Sequence, residues 1–182
     1  YVSGSGTDTV TAGATTGALS DGIVGWGRWS SGTYVDSGSS GSTYALSNVH
    51  YVVGLPTPSA DPVWSSGVTA SYALLGYTLP TRSTDGLTGT GAVTGSLTVN
   101  FATSVVGLSL GVPFNGTNHS FTAGSGSVVN SSTAGFSGSL MGGSGGSFSG
   151  FLAGANASRA GLVYGFDDGV GTVSGAATFK RQ

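Results

Sequence analysis

The chain has 182 residues, a formal net charge of −2, 7% charged and 38% hydrophobic residues, 35 glycines and no cysteine. This length suits one domain with a substantial core, and without cysteine neither disulfides nor thiolate chemistry is available. The five scattered Lys and Arg residues form no basic stripe for nucleic acid, no apolar run approaches the ~20 residues of a membrane-spanning helix, and low hydrophobicity with high net charge, the signature of disorder, is absent.

Residues 1–20 are rich in Ser, Gly, Thr and Ala and are expected to be a linker or a loosely held first strand, with a barrel domain over 21–182. Gly22-Ile-Val-Gly-Trp-Gly-Arg-Trp29 reads as the first clear strand. Its Trp26 and Trp29, three apart, are expected on opposite faces, one filling a barrel and one outside it. Residues 36–43 form a Ser/Gly loop expected to be mobile, and Val49-His-Tyr-Val-Val53 follows as a strand with His50 as a barrel-wall residue. Pro56, Pro58 and Pro62 then interrupt pairing.

Residues 68–79 form a strand with Ala70, Tyr72, Leu74 and Gly76 on one face, and with both faces fairly apolar. After a polar loop over 80–90, the strand over 92–101 alternates most regularly. Val93, Leu97, Val99 and Phe101 point one way and Thr94, Ser96 and Thr98 the other. Residues 105–112 and 119–124 read as a hairpin around the Asn115-Gly116 turn, with His119 exposed beside it and a polar loop over 125–133.

From Gly135 onward the chain reads as Gly-interrupted strands: 135–140, 146–153, 160–166 and 171–179. Glycine inside a strand weakens it unless a bend or a close backbone approach requires it. No segment shows sustained helical periodicity, so helix is expected to be slight, at most a turn near residues 155–160. The fold class predicted is all-β: a single antiparallel up-and-down barrel of about eight strands.

The ending Gly146-Ser-Phe-Ser-Gly-Phe-Leu-Ala-Gly154, Ala160-Gly-Leu-Val-Tyr-Gly-Phe166 and Val173-Ser-Gly-Ala-Ala-Thr-Phe-Lys-Arg181 resembles the C-terminal barrel of transferrin-binding protein B-like (TbpB-like) surface lipoproteins. Val24-Gly-Trp-Gly-Arg-Trp29, His50-Tyr-Val-Val-Gly-Leu-Pro-Thr57 and Tyr72-Ala-Leu-Leu-Gly-Tyr-Thr-Leu-Pro-Thr81 are similar to barrels appended to Gram-negative FecR-domain proteins. The resemblance implies an eight-stranded barrel on an exported protein, at the cell surface or in the periplasm, whose loops make the contacts. It does not carry transferrin binding across. Targeting or attachment is expected to lie upstream of Tyr1.

For chemistry, the sequence offers little. A Ser hydrolase needs a base within reach of a nucleophile and an orienting acid. The histidines are His50 and His119, without a Gly-x-Ser-x-Gly elbow. Asp167-Asp168 reads as a hairpin turn rather than a carboxylate pair. No metal cluster, phosphate loop or cofactor motif stands out, so no catalytic residue, metal or cofactor is assigned. The remaining candidates for binding are aromatics at or near loops, Tyr34, Trp64, Tyr77 and Phe114, together with His119. The expected function is therefore a non-enzymatic binding or assembly module with a protein or small-molecule partner. The alternatives are a purely structural barrel of a larger FecR-type protein and a hydrolase using His119 or His50. A cavity would favour a small ligand, and a packed barrel with an aromatic patch would favour a protein.

Overall fold

The computed structural model describes residues 9–36 and 42–182. Its strands, in chain order, are β1 (Thr9–Ser20), β2 (Val24–Asp36), β3 (Ser42–Leu46), β4 (Val49–Gly54), β5 (Thr69–Tyr77), β6 (Thr81–Arg82), β7 (Thr94–Asn100), β8 (Val105–Phe114), β9 (Thr117–Val128), β10 (Gly135–Met141), β11 (Gly146–Ala153), β12 (Arg159–Asp167) and β13 (Thr172–Arg181). Helix among the described residues is confined to two single 3-10 turns, Pro62–Ser65 and Ala155–Ala157. None is long and apolar enough to cross a membrane.

β5 and β7 through β13 pair antiparallel in succession, and β13 closes the ring by pairing with both β12 and β5. Eight strands make a barrel whose interior side chains can fill it, and they do. Tyr72, Leu97, Leu110, Phe121, Leu152, Leu162, Phe166 and Phe179 are all fully buried in one cluster. Closure removes the edges that an open sheet would expose. The interior glycines fit the expected close approaches: a Cβ on Gly150 would collide with the Gly161 carbonyl of the paired strand.

β1 to β4 form a separate four-stranded sheet, with β2 in the middle, β1 on one side, and β3 and β4 on the other. Residues 1–8 and 37–41, within the expected linker and mobile loop, lie outside the described residues. One face of this sheet covers the outer wall of the barrel at β12, β13 and β5. A Cβ on Gly161 of β12 would touch Val24 and Val52. The outward positions Ala176 and Thr178 of β13 are accordingly 0% exposed.

Three expectations change on this geometry. Trp26 fills the seam between sheet and barrel rather than the barrel itself, its indole occupying the space a Cβ on Gly76 would need. His50 stands on the covered face of β4 and is not part of the barrel wall. Gly76 does not share a face with Tyr72 and Leu74, because a bulge at Leu75 opposite Thr178 and Phe179 shifts the alternation. Gly76 therefore turns outward to Trp26, and Tyr77 turns inward against the core. The expected 125–133 loop is also shorter, since β9 runs on to Val128.

Candidate binding surface

Register fixes what the uncovered face of the small sheet presents. Trp26 pairs with Val52 and Arg28 with His50 on the barrel side. The alternate positions Gly25, Gly27 and Trp29 of β2 and Tyr51 and Val53 of β4 therefore point away from the barrel. The Tyr51 ring occupies the space above Gly27 and packs against Trp29 with ring centroids 5.2 Å apart. Nothing fills the space above Gly25 in the same way. A trough of about 350 Å³ opens there, lined by Leu19, Ile23, Gly25, Tyr51, Val53 and Leu55 among others. Leu19 is 60% exposed, Val53 55% and Leu55 81%. Contiguous exposed apolar side chains of this kind mark interaction sites more often than isolated ones.

The trough is held by a firm corner. Asp21 accepts hydrogen bonds from the backbone N–H groups of Ile23 and Val24 at 3.1 and 3.0 Å, which fixes the β1–β2 turn. Its other carboxylate oxygen pairs with Arg159 at the start of β12. Beyond β4, Thr57 N–H donates to the Leu152 carbonyl at 2.8 Å and tacks the outgoing chain to β11. The wall of the trough is thus anchored to the barrel on two sides.

The sequence-predicted residues fall in three separate places. Tyr34 is in β2, stacked on Tyr44 of β3 at 6.1 Å in the outer half of the small sheet. Trp64 is at one end of the barrel, in the 3-10 turn that Asp61 caps. Its indole N–H donates to the Pro58 carbonyl at 2.9 Å and its ring meets Phe101 edge-on at 5.6 Å. Tyr77, Phe114 and His119 gather toward the other end. Phe114 is 1% exposed within the core, with the Arg82 guanidinium 5.7 Å from its ring. His119 is half-buried on β9 rather than exposed at a turn, tilted against Phe166 with ring centroids 4.8 Å apart.

The polar groups of that end form a clamp. Arg82 is 7% exposed and makes ion pairs with Asp85 at 2.7 Å and Asp168 at 2.8 Å. The hydrogen bond from Arg82 holds the Asp85 carboxyl down at about 2. Asp168 also accepts from the Val170 and Gly171 N–H groups at 3.0 Å, so the Asp167-Asp168 pair is the expected hairpin turn. His50 is buried between two hydroxyls, with Nδ1 2.6 Å from Thr78 Oγ1 and Nε2 2.8 Å from Thr81 Oγ1. Both ring nitrogens are thereby engaged with threonines, which leaves neither to activate a serine. Among the described residues no three His, Cys, Asp or Glu side chains converge as metal ligands.

The exposed apolar side chains of the trough stand partly on strands, Leu19 on β1 and Val53 on β4, and partly beside them, Ile23 in the β1–β2 turn and Leu55 just past β4. The signal was present in Val49-His-Tyr-Val-Val53, apolar at consecutive positions, next to a β2 with glycine at alternate positions. A strand apolar on both faces must be covered twice or must expose one face.

No family model and no curated protein matches the chain. Its structure is similar to that of the isotype 1 transferrin binding protein B (TbpB) from serogroup B Neisseria meningitidis, at a TM-score of 0.56 and 17% identity over 94% of this chain and 36% of that one. It is similar to intact Ap-TbpB, with its N and C lobes, at 0.55 and 16% identity over 99% and 39%. The N-lobe domain of lactoferrin binding protein B (LbpB) of Moraxella bovis matches at 0.51 and 11% identity over 97% and 80%. The chain spans 36% and 39% of the two TbpB chains, and 80% of the single lobe. These identities speak for fold alone, and the fold is that of one TbpB- or LbpB-type lobe: an eight-stranded closed barrel with a small sheet against its wall.

Proposed function

We propose that the chain is a non-enzymatic, protein-binding lobe of an exported protein displayed on the surface of a Gram-negative bacterium, and that its contact surface is the uncovered face of the β1–β4 sheet. The carrying observation is the trough over Gly25, rimmed by Leu19, Ile23, Val53 and Leu55, with the Trp29–Tyr51 pair beside it. A packed barrel interior argues against a small ligand held inside it, and an open apolar and aromatic face suits a protein. The structural neighbours, named for binding transferrin and lactoferrin, support the binding class. The surface location draws on the same likeness and on the resemblance of the C-terminal strands to those lipoproteins. A FecR-type setting rests on sequence resemblance alone. Tyr34, stacked on Tyr44, lies in the same sheet.

The test is capture from host serum and from envelope extract by the immobilised protein and by its Leu55→Asp variant, with purified transferrin and lactoferrin as separate analytes. A charge placed on a side chain that is 81% exposed should leave folding intact. A partner retained by the parent and lost at least tenfold by the variant supports the reading. Capture that is equal for both, or absent from both, defeats it.

A further inference from the structure

The seam between sheet and barrel carries few polar contacts, and one residue stands at its centre. His50 on β4 reaches two hydroxyls of the barrel, Thr78 Oγ1 at 2.6 Å and Thr81 Oγ1 at 2.8 Å. Thr78 is itself fixed from behind, since its Oγ1 accepts from the Ala176 N–H at 2.9 Å. The imidazole therefore ties β4 to the segment between β5 and β6, and through it to β13. On one side it is flanked by Arg28, its register partner on β2, whose guanidinium donates to Thr88 Oγ1 at 3.3 Å. From the barrel side the adjacent charged group is Arg82, already neutralised by Asp85 and Asp168. The segments that touch the ring, 78–81 of the barrel and β13 behind Thr78, bring it no carboxylate.

A neutral imidazole satisfies this site: one ring nitrogen donates, the other accepts, and the two threonine hydroxyls rotate to match. An imidazolium does not. It would place a second positive charge beside Arg28 in a seam where His50 is 9% exposed and where its hydrogen-bond partners among the described residues are two hydroxyl dipoles. Release from the barrel would hydrate it. We infer that His50 is an acid-sensitive latch: protonating it frees the β1–β4 sheet from the wall of the barrel while the barrel stays closed. The barrel is the element able to survive this, because its strands pair in a closed ring without the small sheet.

Burial pushes the imidazole down to about 4, and the charge of Arg28 acts in the same direction. A freed histidine titrates near its ordinary value of 6.5. The opening equilibrium of the sheet should then rise about a hundredfold between pH 7 and pH 4. The latch requires no partner protein, so its test is independent of whether the sheet binds one.

The experiment is hydrogen exchange followed by mass spectrometry from pH 7 to pH 4, corrected for intrinsic rates, on the protein, on His50→Gln and on Arg28→Gln. The expected result is a loss of protection of roughly a hundredfold over 24–29 and 49–54 at pH 4, with β7 to β11 still protected. His50→Gln should abolish the acid step, even if its sheet is already looser at pH 7. Arg28→Gln, which removes the neighbouring charge, should reduce its amplitude. Two results would overturn the latch. One is parallel loss of protection in sheet and barrel, and the other is an acid step that persists in His50→Gln.

Discussion

The outer wall of the barrel and the uncovered face of the small sheet are both solvent-facing β-surfaces, yet they are made of different matter. From β7 to β11 the wall presents Thr94, Ser96, Thr98, Ser109, Ser120, Thr122, Ser137, Ser139, Ser147 and Ser149, all exposed. No Asp, Glu, Lys or Arg occurs between Asp85 and Arg159, so this wall bears mainly hydroxyls and glycines without formal charge, with Val105 and Met141 as separate exposed apolar side chains. The sheet presents Leu19, Val53 and Leu55 with the Trp29–Tyr51 pair. Hydroxyls satisfied by water need no partner. Apolar side chains left on a face whose opposite side is already buried gain from one. The comparison teaches that the barrel closes on itself and that the appended sheet is where a contiguous apolar face is left uncovered.

If the barrel is the scaffold, damage inside it should take both regions down together. Phe179 is 0% exposed on the inner face of β13, the strand that closes the ring. Phe179→Ala should cost about 3–5 kcal/mol. Denaturant unfolding followed separately by Trp26 emission, in a background with Trp29 and Trp64 replaced by Phe, and by far-UV circular dichroism should show both signals shifting together. A variant that lost only the Trp26 signal would break the scaffold argument.

The next effect is alkaline. Tyr72 lies inside the barrel, donates to the Ala157 carbonyl at 2.9 Å, and has its pKa pushed by burial up to about 12 from 10.0. Its folded-state value is raised, so its contribution is whole below pH 10 and is lost as pH climbs toward 12. The loss should be roughly 2–3 kcal/mol. Burial also raises the Tyr164 hydroxyl, in the same sense. Stability measured from pH 9 to 12 should therefore fall, and Tyr72→Phe should flatten the slope without removing it. A slope unchanged in Tyr72→Phe would mean that the ring titrates alike in the folded and the unfolded chain.

Gly76→Val attacks the seam alone. Its side chain would enter the space of the Trp26 indole from the outer side of β5, and overpacking of this kind costs about 1–3 kcal/mol. Trp26 emission, in the same background, should move toward that of exposed indole while the barrel transition keeps its midpoint. Equal loss in both signals would mean that sheet and barrel form one cooperative unit.

Much of the barrel could be read from period-2 patterning. Val93 to Phe101 alternated cleanly, because one face packs inside and the other meets water. The patterning failed where a second layer lies on the wall. β5 is apolar on both faces there, and the bulge at Leu75 reverses the alternation, so Gly76 does not share a face with Tyr72 and Leu74. Trp26 and His50 were misplaced for the same reason: a covering sheet is a tertiary fact that local periodicity does not encode. Aromatic residues near loops do not point to the trough over Gly25, whose floor is a strand face. Phe114 shows the converse, an aromatic beside a tight turn whose ring still points into the core.

The smallest expected effects are the ones that decide whether the two faces differ in role. Val53→Thr on the sheet and Thr122→Val on the barrel wall exchange nearly isosteric side chains in opposite senses at exposed strand positions. Each keeps a β-branched residue, so strand preference is unchanged. Each should move stability by no more than about 0.5 kcal/mol. Val53 borders the trough over Gly25, whereas Thr122 lies in a second, hydroxyl-lined groove of about 410 Å³ with Thr94, Ser109, Asn118 and Ser120. Affinity for a captured partner should drop in Val53→Thr and stay level in Thr122→Val, measured by biosensor titration at matched folding. The reverse order would move the contact surface to the uncharged wall. It would also make the hydroxyls, rather than the exposed aliphatics, the groups that the partner reads.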